Sequence, residues 1–350
     1  MSKYTRTEAK AYARQNLRGI WAAALTPFRE DKSLDEAGFR ANVRHWTGAL
    51  GIDGIFVGGK EGEFFSMSVP ERKRLFEIAV EATRAPGRGA TIMSCSDQNF
   101  DVVLELAQHA EAIGADDVVV HAPMLHFVRE RDEILYEYYR TISEELEIGI
   151  AMWSHPDSGY LMSPELCVRI AELPNIVAIK YSVPREVYVQ LTRLAGEHLI
   201  VSTASEEESL DNIIELHWQV YLCSSPPFLL QTATDRRMRE YTDLAMQGDV
   251  ARARAVCDSL NPGRQALKAT RPEDKPQAHQ KYWQELPGQV GGAVRRPEPA
   301  APAARCIRER SLRRARSACR ADPDRGEAMA ALIRGADRFR AAAARRTCRA

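Results

Sequence analysis

The sequence predicts an α/β protein: a TIM (β/α)8 barrel with a C-terminal helical region. Three observations predict it, namely eight short apolar runs, helical spacing between most of them, and helix-start residues where one pattern gives way to the other. The runs lie at residues 20–25, 54–57, 90–94, 117–121, 148–153, 176–180, 199–203 and 220–223, and read as strands buried on both faces of a parallel sheet. Segments 35–50, 69–83, 100–113, 132–146, 164–173 and 185–195 between them carry apolar residues at helical spacing. Ser68 precedes Val69-Pro70-Glu71 and Ser163 precedes Pro164-Glu165, each an N-cap with proline early in the first turn. Eight such units match a closed barrel, since an open doubly wound sheet usually needs fewer. No GxGxxG or GxxxxGK[ST] follows any run, so neither a dinucleotide site nor a P-loop is indicated.

The chain divides by pattern into an N-terminal amphipathic helix (1–18) packed outside the barrel, the barrel (19–228), a helical region (229–294) and a tail (295–350). Helices are expected at 229–246 and 249–260, followed by a Pro- and charge-rich stretch to Trp283. The 350 residues carry 48 basic and 48 acidic groups, but that balance hides two unlike parts. The tail holds 16 arginines, no lysine and six acidic residues, a net +10; the 32 basic and 42 acidic groups before it leave −10. A basic arm for nucleic acid or an acidic partner and a non-native, out-of-frame extension are both readings of such a tail, and it is expected to carry no catalysis. No apolar run nears the roughly 18 residues of a membrane span, and the polar N-terminus lacks a secretory signal's apolar stretch. Seven scattered cysteines without a CxxC pair suggest a reducing cytoplasm. Membrane and nucleic-acid partners are therefore not expected.

In a barrel the chemistry sits at the C-terminal ends of the strands. Lys180 ends the run Asn175-Ile-Val-Ala-Ile-Lys-Tyr-Ser182. Such a lysine either reaches water along its stem or stays dry, and desolvation then lowers its pKa and leaves an amine able to attack a ketone. After the second run comes Val57-Gly-Gly-Lys-Glu-Gly-Glu63, where Gly59 and Gly62 either serve a tight turn or bring backbone N–H groups up to an anion. Trp153-Ser-His-Pro156 follows the fifth run, making His155 either structural or an acid/base group, with His121 and His126 as possible companions. These histidines lack a carboxylate at ligand spacing, so no metal is expected.

With Gly19-Ile-Trp-Ala-Ala-Ala-Leu-Thr-Pro-Phe28, the glycine loop, Pro156 with Gly159, and Ile179-Lys180 in this order, the chain resembles the dihydrodipicolinate synthase / N-acetylneuraminate lyase family from about residue 19 to 295. The resemblance implies a TIM barrel, usually assembled as a tetramer. It also implies class I aldolase chemistry without a cofactor, in which Lys180 forms a Schiff base with pyruvate or another 2-keto acid.

The departures bear on the substrate. The family's Gly-Thr-Thr-Gly-Glu loop is here Gly59-Lys60-Glu61-Gly62-Glu63, so opposite charges replace two hydroxyls. The family's acid/base tyrosine is replaced, because Pro123-Met124-Leu125 stands there, and a leucine moves no protons. The family's carboxylate-binding arginine has only Arg129 or Arg131 as possible substitutes. Two arrangements are expected: Lys60 grips the substrate carboxylate with Glu61 as its holder or proton shuttle, or the pair replaces the tyrosine relay and His155 or His126 completes the transfers. Trp153 broadens the apolar wall, which with Leu125 and His126 suits a bulky or aromatic aldehyde. The expected function is a Schiff-base lyase, aldolase or hydratase-aldolase, acting on a 2-keto acid and an aldehyde. Its rivals are a Schiff-base dehydratase or decarboxylase of a sugar-acid derivative, and a binding member without catalysis.

Overall fold

A computed structural model describes residues 3–84, 89–125, 129–270 and 276–295. The eight strands are β1 (Gly19–Ala23), β2 (Gly54–Val57), β3 (Ala90–Ser94), β4 (Asp117–His121), β5 (Gly149–Ser154), β6 (Ile176–Tyr181), β7 (Ile200–Ser202) and β8 (Val220–Tyr221). Every paired neighbour runs parallel in the order β8-β1-β2-β3-β4-β5-β6-β7, and β7 lies beside β8 without a ladder, so the ring is nearly closed. This is the predicted TIM barrel.

Helices α2 (Glu36–Arg44), α3 (Val69–Thr83), α4 (Phe100–Ile113), α5 (Arg131–Glu145), α6 (Pro164–Ala171) and α7 (Arg185–Ala195) follow the strands as expected, after α1 (Ala9–Asn16) near the N-terminus. The predicted caps form: the Ser68 hydroxyl accepts from Glu71 N–H in a capping box, and that of Ser163 accepts from Leu166 N–H. The structure adds α8 (Ser209–Leu216), whose buried stripe of Leu210 and Ile213 is too brief to stand out as a period.

Beyond the barrel lie α9 (Arg237–Met246), α10 (Val250–Asp258), α11 (Asn261–Thr270) and α12 (Pro276–Glu285). The expected helix at 229–246 is shorter, beginning only at Arg237, and the Pro-rich stretch beyond residue 260 is itself helical. Pro262 and Pro276 stand in the first turns of α11 and α12, where a missing N–H costs nothing. They start helices rather than break them. Residues 296–350 of the Arg/Ala-rich tail lie outside the described residues. Arg295, assigned to that tail by composition, belongs structurally with what precedes it: its side chain pairs with Glu71 at 2.7 Å and lies over the Phe28 ring.

The N-terminal segment differs from expectation. A short 3-10 turn, Arg6–Glu8, leads into α1, and Ala9, Ala13 and Leu17 join the inward-facing cluster of Trp21, Phe56, Ile92, Val119 and Ala151. The segment therefore covers the bottom of the barrel instead of packing on its outer wall, because small residues four apart fit a narrow opening. A second, larger cluster fills the space between strands and helices.

At this bottom end Asp117 is fully buried, and Tyr4 donates to its carboxyl at 3.1 Å while accepting from Gly149 N–H. Burial, reinforced by the charge of Asp116, pushes the Asp117 carboxyl up to about 8. Its folded pKa lies above the unfolded value near 4, so the stability it contributes is full below pH 4 and is lost as pH rises toward 8. Relative to the native chain, Asp117→Asn is therefore expected to gain stability between pH 5 and pH 9. Urea unfolding at the two pH values checks this, and an unchanged difference would contradict it.

Candidate active site

Strand register assembles the site. In β6 the side chains of Ile179 and Tyr181 enter the outer apolar layer, so Lys180 between them points into the barrel at its C-terminal end. Parallel pairing sets His121 beside Trp153, Trp153 beside Lys180, and Lys180 beside Ser202. Residues paired in register share a face. Four neighbouring strands thus place His121, Trp153, Lys180 and Ser202 in one layer at the barrel mouth.

Lys180 is 4% exposed. Its Nζ lies 5.4 Å from the centre of the Phe56 ring and 5.9 Å from that of Trp153. The dry reading of this lysine, and not the solvent-seeking one, is what the geometry gives. Burial lowers its pKa, opposed by the charges of Cys223 and Glu61. Phe56 meets Trp153 edge-on at 5.9 Å, and His121 meets Trp153 at 4.8 Å with the rings nearly perpendicular. Burial lowers the His121 pKa to about 4, so this imidazole is neutral at pH 7.

The loop after β2 comes close to Lys180 because its glycines leave no room for side chains. Gly58 has φ +66°, and a Cβ on Gly59 would meet the Phe56 ring at 2.7 Å. One on Gly62 would stand 3.0 Å from the Ala24 carbonyl and 3.1 Å from Thr26 Oγ1. Glu61, in the middle of this loop, is near enough for its charge to act on Lys180. Lys60 does not pair with Glu61 as expected. Its ammonium pairs with Asp157, from the loop after β5, both groups being substantially exposed. An aqueous pair of that kind contributes little to stability.

His155 is half-buried, and its Nδ1 accepts from the Asp157 N–H at 3.1 Å, which leaves the ring proton on Nε2. Its pKa is lowered by burial first and then by the positive charge of Lys60. The indole Nε1–H of Trp153, 4% exposed overall, and the hydroxyl of fully buried Thr26 have no hydrogen-bond partner among the described residues.

Other expected residues fall elsewhere. Leu125 packs against the outer cluster, not among the inward-facing side chains that surround Lys180. His126 lies outside the described residues. Arg129 is exposed, and the Arg131 guanidinium rests over the Tyr160 ring at 5.4 Å, so neither is seen to supply the missing arginine. Residues that sequence reasoning missed include Phe56, Ser202, Asp157 and Cys223. Ser202 and Cys223 stand at the ends of the apolar runs after Lys180, a signal that counting along each run would have found. Among the described residues no three of His, Cys, Asp and Glu converge as a metal ion requires.

Comparison with known proteins agrees with this geometry. The model of the dihydrodipicolinate synthetase family matches residues 16–301, a span that includes all eight strands. The chain belongs to this family. A 4-hydroxy-tetrahydrodipicolinate synthase of Methanothrix thermoacetophila is 34% identical over 164 residues, 47% of this chain and 53% of that protein. An N-acetylneuraminate lyase of Clostridium perfringens is 32% identical over 167 residues, 47% of this chain and 57% of that one. The chain thus spans about half the length of these curated relatives. The solved Proteus mirabilis N-acetylneuraminate lyase superposes with a TM-score of 0.74 over 87% of this chain and 99% of its own, at 23% identity, which shows the fold.

Proposed function

We propose that the chain is a Schiff-base-forming lyase, of aldolase or hydratase-aldolase type, acting on pyruvate or another 2-keto acid with an aldehyde partner. The observation that carries this reading is Lys180, a buried amine at the barrel's C-terminal mouth with its pKa lowered. Neutral Lys180 attacks the keto carbon, and the carbinolamine loses water to give an iminium. The iminium accepts the electron pair of the carbon–carbon bond that breaks, releasing the aldehyde and leaving an enamine. Protonation of that enamine and hydrolysis of the imine free the keto acid and restore the amine. In the synthetic direction the same steps run in reverse.

The protons need carriers. With Nδ1 engaged by Asp157, His155 offers an Nε2–H donor, and Glu61 is the group best disposed to take protons from the reacting atoms. Lys60, held over the mouth by Asp157, supplies a cation for the substrate carboxylate, with the Gly59 and Gly62 backbone beside it. Trp153 and Phe56 form the apolar wall. The outward packing of Leu125 confines its part to filling the place where the family's tyrosine stands. Buried free thiols at Cys95, Cys167 and Cys223 suit a reducing cytoplasm, and the expectation of a homotetramer or homodimer rests on the family resemblance. Among the described residues no helix is long and apolar enough to cross a membrane.

Incubation with pyruvate followed by borohydride is expected to leave a stable mass increment on the peptide that contains Lys180. Absence of an adduct with any 2-keto acid would overturn the proposal. Aldehyde release then separates an aldolase from a dehydratase.

A further inference from the structure

We infer that α12 clasps the loop after β2 and that Lys281, on this helix, is a positioning residue for Glu61; the role given to Glu61 rests on the function proposed above. Four observations meet at this point. Lys281 is 2% exposed and Glu63 fully buried, and they form an ion pair at 2.6 Å between residues 218 apart in sequence. The same ammonium donates to the Ala293 carbonyl at 2.7 Å and lies 4.7 Å from the Phe28 ring centre, while the second Glu63 oxygen accepts from Arg295 N–H at 2.8 Å. Glu63 holds a left-handed backbone conformation, φ +59°, that residues with a side chain adopt uncommonly. Gln277, one turn earlier on α12, donates to the Lys60 carbonyl at 3.3 Å.

Glu61 therefore sits between two anchored neighbours, Lys60 by its carbonyl and Glu63 by its carboxylate. Behind it Gly62 is pressed on the Ala24 carbonyl, so the loop has no slack. Gln280 of the same helix donates to the Ser224 carbonyl, directly after Cys223, so α12 reaches the loops on both sides of β1. A buried ion pair is a poor source of net stability, because desolvating two charges opposes their attraction. Its effect here is geometric: it fixes the loop conformation that brings the Glu61 charge to Lys180.

The test uses the full chain carrying Glu63→Gln together with Lys281→Met, so that no unpaired charge is left buried. The amide retains an acceptor for the Arg295 N–H. Two readouts are taken: steady-state kinetics, and the pH profile of reductive methylation at Lys180 read by peptide mass, with Glu61→Gln as comparator. We expect the double variant to fold, to trap pyruvate on Lys180, to lose about 10- to 100-fold in kcat, and to move the Lys180 midpoint downward as the comparator does. An unchanged midpoint in the folded variant would overturn the inference, even if thermal stability had dropped. Should the double variant not fold, Gln277→Leu removes the Lys60 anchor alone and is read in the same two ways. If the native chain traps no keto acid, the proposed function fails, while the methylation profile still decides whether α12 positions the loop.

Discussion

Lys180→Met is expected to abolish imine trapping with pyruvate and to lower turnover by about 10^3-fold or more, without loss of the fold. The catalytic loss follows from chemistry, since a thioether cannot condense with a ketone, and the other buried amine at this end of the barrel, Lys281, is held in an ion pair with Glu63. The structural side is less obvious. Replacing a buried cation with an unbranched apolar side chain removes a desolvation cost and keeps the contacts with Phe56 and Trp153. The sign with pH follows from the lowered pKa of Lys180. Below the unfolded value near 10.4 the unfolded chain binds the proton more readily, so the native state is penalised increasingly as pH falls toward the folded pKa. The variant lacks that penalty and should equal or exceed the native chain in thermal stability at pH 7. A variant that unfolds readily at pH 7 would show that Lys180 is a structural cation, contrary to this reading.

Trp153 separates packing from chemistry through two substitutions. Trp153→Ala removes the ring that Phe56 and His121 meet edge-on, and opens a void at the centre of the mouth. Its expected cost is about 3–5 kcal/mol of stability, measured by chemical unfolding. Trp153→Phe keeps an aromatic face but deletes the Nε1–H, which has no hydrogen-bond partner among the described residues. Losing a donor that bonds nothing in the folded chain should cost stability only through the smaller ring, about 1 kcal/mol. If that N–H meets a substrate oxygen, kcat/KM falls by about tenfold or more. Equal kcat/KM for Trp153→Phe and the native chain would leave Trp153 a wall and nothing else.

The barrel was legible because its strands are short, buried on both faces and bounded by polar turns. β2, β3 and β4 have the expected limits, whereas β1 starts one residue earlier and ends two earlier than its apolar run. Apolar character marks burial, and Ala24 and Leu25 remain buried after the ladder has ended. The N-terminal segment was placed outside the barrel because amphipathic spacing shows that a helix has a buried face, not which surface covers it. Lys180 could be found because charge after a run of buried residues is unusual. The partner of Lys60 could not, since adjacency favoured Glu61 while the fold brings Asp157 across the mouth. Nothing local links Glu63 to Lys281, and a pairing over such a separation exists only in the folded chain.

The proposed chemistry depends on an amine that is uncharged more readily than an ordinary lysine. NMR titration of the chain labelled with 13C-lysine, with the Lys180 signal assigned by its loss in Lys180→Met, measures this directly. The midpoint is expected below the ordinary lysine value of about 10.4. A midpoint at or above that value would contradict the proposed chemistry.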